Sequence, residues 1–204
     1  MPTFICMTPE RYKRLTNVLQ HRQPDLTVVL ENVFDPHNIS AVMRTCDAVG
    51  IQDVYILNNR MPPHKKWGYR SSSTAAEWLT IHQYTDAEKC FADVRQKFQH
   101  IYCSFLGQSS RNLYTLDLTQ SIALVFGNET YGVNEDIRRL CDGDFIIPQV
   151  GVIKSLNISV ACAVTLYEAF RQKNLEGHYE QQRMSQAQWN EVHKAWGITG
   201  STPS

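Results

Sequence analysis

Ser155 and Asn157 carry the densest chemical signal in this chain. They follow the loop Pro148-Gln149-Val150-Gly151-Val152-Ile153-Lys154 and precede an apolar run from Ile158 to Phe170. Ser and Asn at the start of a helix accept hydrogen bonds from its free backbone N–H groups. A helix N-terminus behind a glycine-containing loop also offers those donors, and a partial positive charge, to an anion. Capping of an ordinary core helix explains the same residues, so this stretch alone leaves both readings open.

Arg44 is the second candidate. Ile39, Val42, Met43, Cys46 and Val49 fall on one helical stripe, with Asn38 read as the N-cap and Gly50 just past the end. At 100° per residue Arg44 projects about 165° from that stripe, beside Ser40, Ala41 and Ala48. That is the ordinary position of a solvated arginine, yet small neighbours also let a bulky partner approach the guanidinium. The third candidate is Gly127-Asn128-Glu129-Thr130-Tyr131-Gly132. It has the two glycines of a P-loop, but Val133 and Asn134 replace its Lys and Ser/Thr, which argues against a triphosphate site. No G-x-G-x-x-G follows the first strand and no G-x-S-x-G occurs.

The elements that must position these residues alternate. Strands are expected at Leu26–Leu30, Val54–Leu57, Leu79–Ile81, Ile101–Leu106, Ser121–Phe126 and Phe145–Ile147. Helices are expected from Pro9 to before Pro24, from Ile39 to Val49, from a Thr85 cap with Glu88 three later to Phe98, after Asn134, and from Ile158 to Gln172. The alternation predicts an α/β fold with a mainly parallel sheet flanked by helices. Ligands of such sheets bind beyond the carboxyl ends of the strands. Here those ends are the Asn38 region, Ser104–Gly107, Gly127–Gly132 and Pro148–Asn157. We expect three parts: an N-terminal helical extension (1–24), a central domain (25–173) and a C-terminal helical extension (174–204). In the last, Ser185-x-x-Gln188 is a capping-box pattern before Trp189, Val192 and Trp196.

At 204 residues with 43% apolar content the chain suits one domain with modest additions, and the formal net charge is zero. Charge is clustered locally. Arg11, Lys13, Arg14, His21 and Arg22 lie near the N-terminus, and His64, Lys65, Lys66 and Arg70 form a second group. The first group reads equally as a solvated helix face and as an RNA-backbone contact. Cys6, Cys46, Cys90, Cys103, Cys141 and Cys162 show no C-x-x-C pair or zinc spacing, so no metal is expected. No signal peptide or long apolar span occurs, which points to the cytoplasm and away from a membrane.

Three motifs in order carry a family resemblance: Asn38-x5-Arg44, then Leu124-Val-Phe-Gly-Asn-Glu-Thr-Tyr-Gly132, then Ile147-Pro-x2-Gly151-x3-Ser155-Leu-Asn-Ile-Ser-Val160. Together they resemble the SPOUT RNA 2′-O-ribose methyltransferases over roughly residues 8–173. Arg11-Tyr12, Arg22-Gln-Pro-Asp-Leu26 and the short helical tail resemble the TrmH branch of that family, which acts on guanosine 18 of tRNA. One departure is Thr74, where such enzymes often carry Gly.

The resemblance implies a C-terminal trefoil knot, a feature rare among folds at large. It implies S-adenosylmethionine (AdoMet) held by Ser104, Leu106, Gly127, Ile147 and Leu156. It also implies tRNA as substrate and a homodimer with a shared active site. The helix from Ile158 to Phe170 is apolar nearly all round, which independently calls for more cover than one sheet face provides. A ribose hydroxyl is a poor nucleophile, so a site must remove its proton or stabilise the developing alkoxide. By the family's motifs that task falls to Arg44, with Asn38 and Asn157 orienting it and the ribose, Glu129 fixing Asn38 or Arg44 by a charge-assisted bond, and Ser155 donating to a phosphate. Arg11, Arg14, Arg22, Lys65, Lys66 and Arg70 are the expected RNA contacts. Singly, Asn38, Ser155 and Asn157 also read as caps, Arg44 as a surface residue and Glu129 as a turn residue. Rival readings are methylation of another tRNA position or of ribosomal RNA, a non-catalytic RNA-binding relative, and a small-nucleotide regulator.

Overall fold

A computed structural model describes residues 7–64, 75–108, 110–153 and 155–198. Among these residues seven strands form one sheet in the order β3-β2-β1-β6-β4-β7-β5. They are β1 (Leu26–Glu31), β2 (Asp53–Leu57), β3 (Thr80–Tyr84), β4 (His100–Ser104), β5 (Arg111–Asn112), β6 (Ile122–Phe126) and β7 (Gly143–Ile146). Every pairing between them is parallel. The helices are α1 (Pro9–Gln20), α2 (Pro36–Ala48), α3 (Ala87–Lys97), α4 (Glu135–Arg138), α5 (Ile158–Leu175) and α6 (Gln186–Ala195).

Alternation along the central strands builds two cores, as the two-residue period requires. Val28 and Leu30, Val54 and Ile56, and Ile122, Leu124 and Phe126 face α2 and α5. Val29, Tyr55, Leu57, Ile101, Cys103, Ala123 and Val125 face α3 and α4. A sheet covered on both faces reads as continuous apolar strands, which is why β1 and β6 are legible in sequence. No helix among the described residues is long and apolar enough to cross a membrane.

Several boundaries differ from the expectation, each for a local reason. The N-cap of α2 is Asp35, whose carboxylate accepts from His37 N–H, and Pro36 takes the first turn. Asn38 therefore lies inside the helix and its side chain is free for other work. The cap of α3 is Asp86, not Thr85. Asn134 holds the N-cap position of α4 but sends its amide to Glu31 instead. β4 ends at Ser104, so Leu106 belongs to the following loop, and two-residue β5 is too short to show periodicity. The expected caps at Asn157 and Ser185 are present, and Thr8 caps α1. Lys65, Lys66, Arg70 and Thr74 lie outside the described residues.

Arg22 requires a correction. Its place in the sequence groups it with the surface cations, but its side chain is fully buried and ion-paired with Asp47 at 2.6 Å. It also donates to Ile51 O at 2.9 Å and lies 5.1 Å from the Trp196 ring centroid. α1 ends at Gln20 with His21 as its C-cap, so Arg22 follows the helix and turns inward against Asp47, Ile51 and Trp196 rather than lying on the α1 surface. Arg11 and Arg14 are exposed as expected. Leu19, Met184 and Val192 form a small core between α1 and α6 with Trp189 and Trp196.

Candidate active site

The carboxyl ends of β4, β6 and β7, with the segment leading into α5, enclose a cavity of about 470 Å³. Ser104, Leu106, Gly127, Ile147 and Leu156, the residues expected to hold a cofactor, all line it. Glu129, Ser155 and Asn157 line it as well. The volume lies within the range of about 300–1,000 Å³ usual for ligand pockets.

One wall is the turn after β6. Asn128 N–H donates to Gly132 O at 3.1 Å and Gly132 N–H to Asn128 O at 2.9 Å, closing the turn on itself. The Asn128 side-chain oxygen accepts from Thr130 N–H at 2.8 Å and Tyr131 N–H at 3.3 Å. Gly127 has to be glycine here: a Cβ would stand 2.2 Å from Gly132 C and from Val133 N. No side chain fits that approach.

Glu129 projects from this turn to the start of α2. Its Oε2 accepts from Phe34 N–H at 2.9 Å, and its Oε1 from Asp35 N–H at 3.2 Å and from Asn38 Nδ2 at 2.9 Å. Burial pushes its pKa up, but the bonds from Asn38 and the backbone outweigh this and hold the carboxyl below its usual range. Asn38, having committed Nδ2 to a carboxylate, turns Oδ1 outward, where Asn157 Nδ2 donates to it at 3.2 Å. Asn157 Oδ1 in turn accepts from Ser159 N–H at 2.8 Å as the cap of α5. The expected cap role and the expected site role of Asn157 thus coexist: one atom caps, the other orients Asn38.

Three sequence motifs are therefore joined by one relay, Glu129–Asn38–Asn157, at the cavity rim. Arg44 is not brought into it within one chain. It is exposed on α2, away from the cavity wall, with no hydrogen bond or ion pair among the described residues. Ala41 and Ala48 are exposed beside it, whereas Ser40 is buried. Around the rim, Val150, Val152 and Ile153 are exposed, as are Val160 and Tyr167 on α5.

Thr130, Tyr131 and Gln149 also line the cavity; sequence reasoning places them in the candidate loops but gives none of them a role of its own. Their position in the motifs is the available signal, since loop residues show no periodicity.

A family model described as the SpoU rRNA Methylase family matches residues 25–167. A protein from Thermus thermophilus named tRNA (guanosine(18)-2'-O)-methyltransferase is 37% identical over 93% of this chain and 96% of its own. One of the same name from Escherichia coli is 35% identical over 85% of this chain and 75% of its own. The crystal structure of a TrmH/SpoU tRNA modifying enzyme from A. aeolicus superposes with a TM-score of 0.84 at 34% identity, covering 92% and 94% of the two chains.

Proposed function

This chain belongs to the SpoU rRNA Methylase family, and from that premise we propose that it methylates a ribose 2′-hydroxyl of tRNA, at guanosine 18 in the D-loop, with AdoMet as donor. The Glu129–Asn38–Asn157 relay beside a ligand-sized cavity carries this reading, because it joins all three motifs where the fold binds ligands. The similarity over 93% and 85% of this chain to two enzymes named for guanosine 18 supports the substrate.

The residues present fit the donor. The cavity wall offers main-chain groups at Gly127, Ile147 and Leu156, and apolar cover from Leu106 and Ile147. When bound, AdoMet supplies an electrophilic methyl group on a sulfonium. The chain's own residues do the rest. Asn38 and Asn157 orient the ribose, and Ser155, at the start of α5, donates to a phosphate. Arg44 neutralises that phosphate or the developing alkoxide; a guanidinium with a pKa above about 12 is not a base at neutral pH, so the proton leaves to phosphate or solvent. Glu129 accepts three hydrogen bonds and stays ionised, which makes it a positioning group.

Completing the site takes a second copy. In this reading the exposed stripe of Val160 and Tyr167, with Val152 and Ile153, packs against a partner protomer, and Arg44 acts across that interface. The chain at motifs two and three threads through a loop as a C-terminal trefoil knot in this reading, which membership of the family supports. Arg11 and Arg14, with Lys65, Lys66 and Arg70, contact the tRNA backbone, doubled by the dimer. A tRNA substrate points to the cytoplasm.

The test is transfer from tritiated AdoMet to unmodified tRNA, followed by nucleoside mapping. Label in 2′-O-methylguanosine at position 18 is expected. Label on a base, or none, overturns the proposal.

A further inference from the structure

Two costly features lie back to back behind the cavity wall. Glu31, at the carboxyl end of β1, is fully buried, and no ion pair neutralises it among the described residues. Instead Oε2 accepts from Asn134 N–H at 3.0 Å, and Oε1 accepts from Asn32 Nδ2 at 3.0 Å and from the Asn134 side-chain amide. Asn32 is, among the described residues, the one non-glycine with positive φ, at 49°. Burying a carboxylate without an ion-pair partner and holding a left-handed backbone both oppose folding. Such strain persists where the surroundings over-determine it, often at functional sites.

The surroundings here use every polar group of Asn32. Its N–H donates to Leu57 O at 2.8 Å, and its carbonyl accepts from Asn128 Nδ2 at 2.8 Å. Nδ2 also donates to Asn59 Oδ1 at 2.7 Å, and Oδ1 accepts from Arg60 N–H at 3.0 Å. On one side these bonds reach Asn128, which shapes the cavity wall through Thr130 and Tyr131. On the other they hold residues 57–60, the root of the segment bearing the basic group 64–70. A second bond, between His64 Nε2 and Val33 O at 2.9 Å, ties that segment down again.

We infer that Asn32, braced by the buried Glu31, is a positioning residue that fixes the AdoMet-cavity wall and the root of the basic segment as one unit. The assignment of AdoMet to the cavity rests on the function proposed above; the coupling itself does not. Ordering either side offsets part of the cost of ordering the other, so donor and tRNA binding reinforce each other.

Amide hydrogen exchange on the ligand-free protein tests the coupling directly. Asn32→Gly keeps the positive φ but deletes the side-chain bonds, so it separates backbone geometry from bracing. The deleted bonds run to Glu31, Asn59 and Arg60, so exchange in 57–64 is expected to speed directly. The carbonyl bond to Asn128 is retained, and exchange in 128–132 is expected to speed because the unbraced backbone of residue 32 no longer holds that carbonyl in place. AdoMet binding measured by calorimetry is expected to weaken about tenfold, the scale of one net hydrogen bond. Asn128→Ala, which cuts one side only, is expected to loosen 128–132 and leave 57–64 at the wild-type rate. Glu31→Gln, which places a donor or a lone acceptor where a carboxylate met three donors, is expected to act like Asn32→Gly. Wild-type exchange in Asn32→Gly, or loosening of only one segment, overturns the inference. Failure of the wild type to bind AdoMet overturns the functional reading instead, and the exchange rates still decide the coupling.

Discussion

Asn157 donates its side-chain amide to the Asn38 carbonyl oxygen at 3.2 Å, joining residues 119 positions apart in the chain. Because Asn38 Nδ2 is committed to Glu129 at 2.9 Å, the amide of Asn38 has one orientation, and Asn157 is locked by it. Asn38→Asp reverses the polarity next to a carboxylate and sets like charges together. We expect kcat to fall about 10²-fold, in the range for losing one preorganised group, with little change in AdoMet affinity. Steady-state kinetics beside calorimetry checks it; equal losses in both would make Asn38 a folding residue.

The same bond sets a pH response. The Glu129 carboxyl titrates below its ordinary value in the folded protein. Its contribution is therefore present above the unfolded carboxylate pKa and is lost as pH falls through the lower folded value. Asn38→Ala removes one of the bonds that depress that value. The acid limb of cofactor affinity, measured by calorimetry across pH, is expected to move upward in the variant. An acid limb that stays where the wild type has it would mean that Glu129 does not govern the wall.

How much of this is legible depends on what kind of interaction fixes each residue. β1 and β6 announce themselves because both faces are buried and the strands read as unbroken apolar runs. The five cavity residues are reachable through motif resemblance alone, since main-chain binding leaves no side-chain signature. Asn38 passes for a cap because Asp35-Pro36 and Asn38 both look like helix starts, and the choice is made by Glu129, 91 positions away. Arg22 misleads because any cation beside a basic helix looks solvated; its buried partner Asp47 is remote in sequence. Asn32 and Glu31 show nothing, as one buried acid at a strand end matches any charged turn.

Arg44→Ala separates chemistry from folding. The side chain is exposed and unpaired among the described residues, so its removal leaves the fold intact. Methyl transfer is expected to fall at least 10²–10³-fold, roughly the loss of one charge-stabilising group, while Tm and AdoMet affinity stay at wild-type values. Parallel loss of AdoMet binding would relegate Arg44 to a structural part.

Val160→Glu tests the dimer. Val160 and Tyr167 lie seven residues apart on one stripe of α5 and are 47% and 53% exposed. A charge there meets solvent in a monomer at no great cost, but is desolvated in an apolar interface. Light scattering at micromolar concentration is expected to give a dimer for the wild type and a monomer for the variant. A wild-type monomer would remove the basis for an active site shared between subunits.

The two kinds of arginine at the N-terminal end make opposite predictions. Deleting one cation that neutralises a phosphate lowers the slope of log affinity against log salt by about one unit. Arg11→Gln and Arg14→Gln remove exposed cations from α1, so both should flatten that slope and leave Tm unchanged. Arg22→Gln removes a fully buried guanidinium that binds Asp47 and Ile51 O and faces Trp196. Breaking a buried pair costs about 3–5 kcal/mol, toward the lower end here because Asp47 still reaches water. The Tm should therefore drop by roughly 6 °C or more while the salt slope holds. A flattened slope in Arg22→Gln would mean that this arginine leaves its pocket to meet RNA. The brace between α1, α2 and α6 would then be a resting arrangement rather than a permanent one.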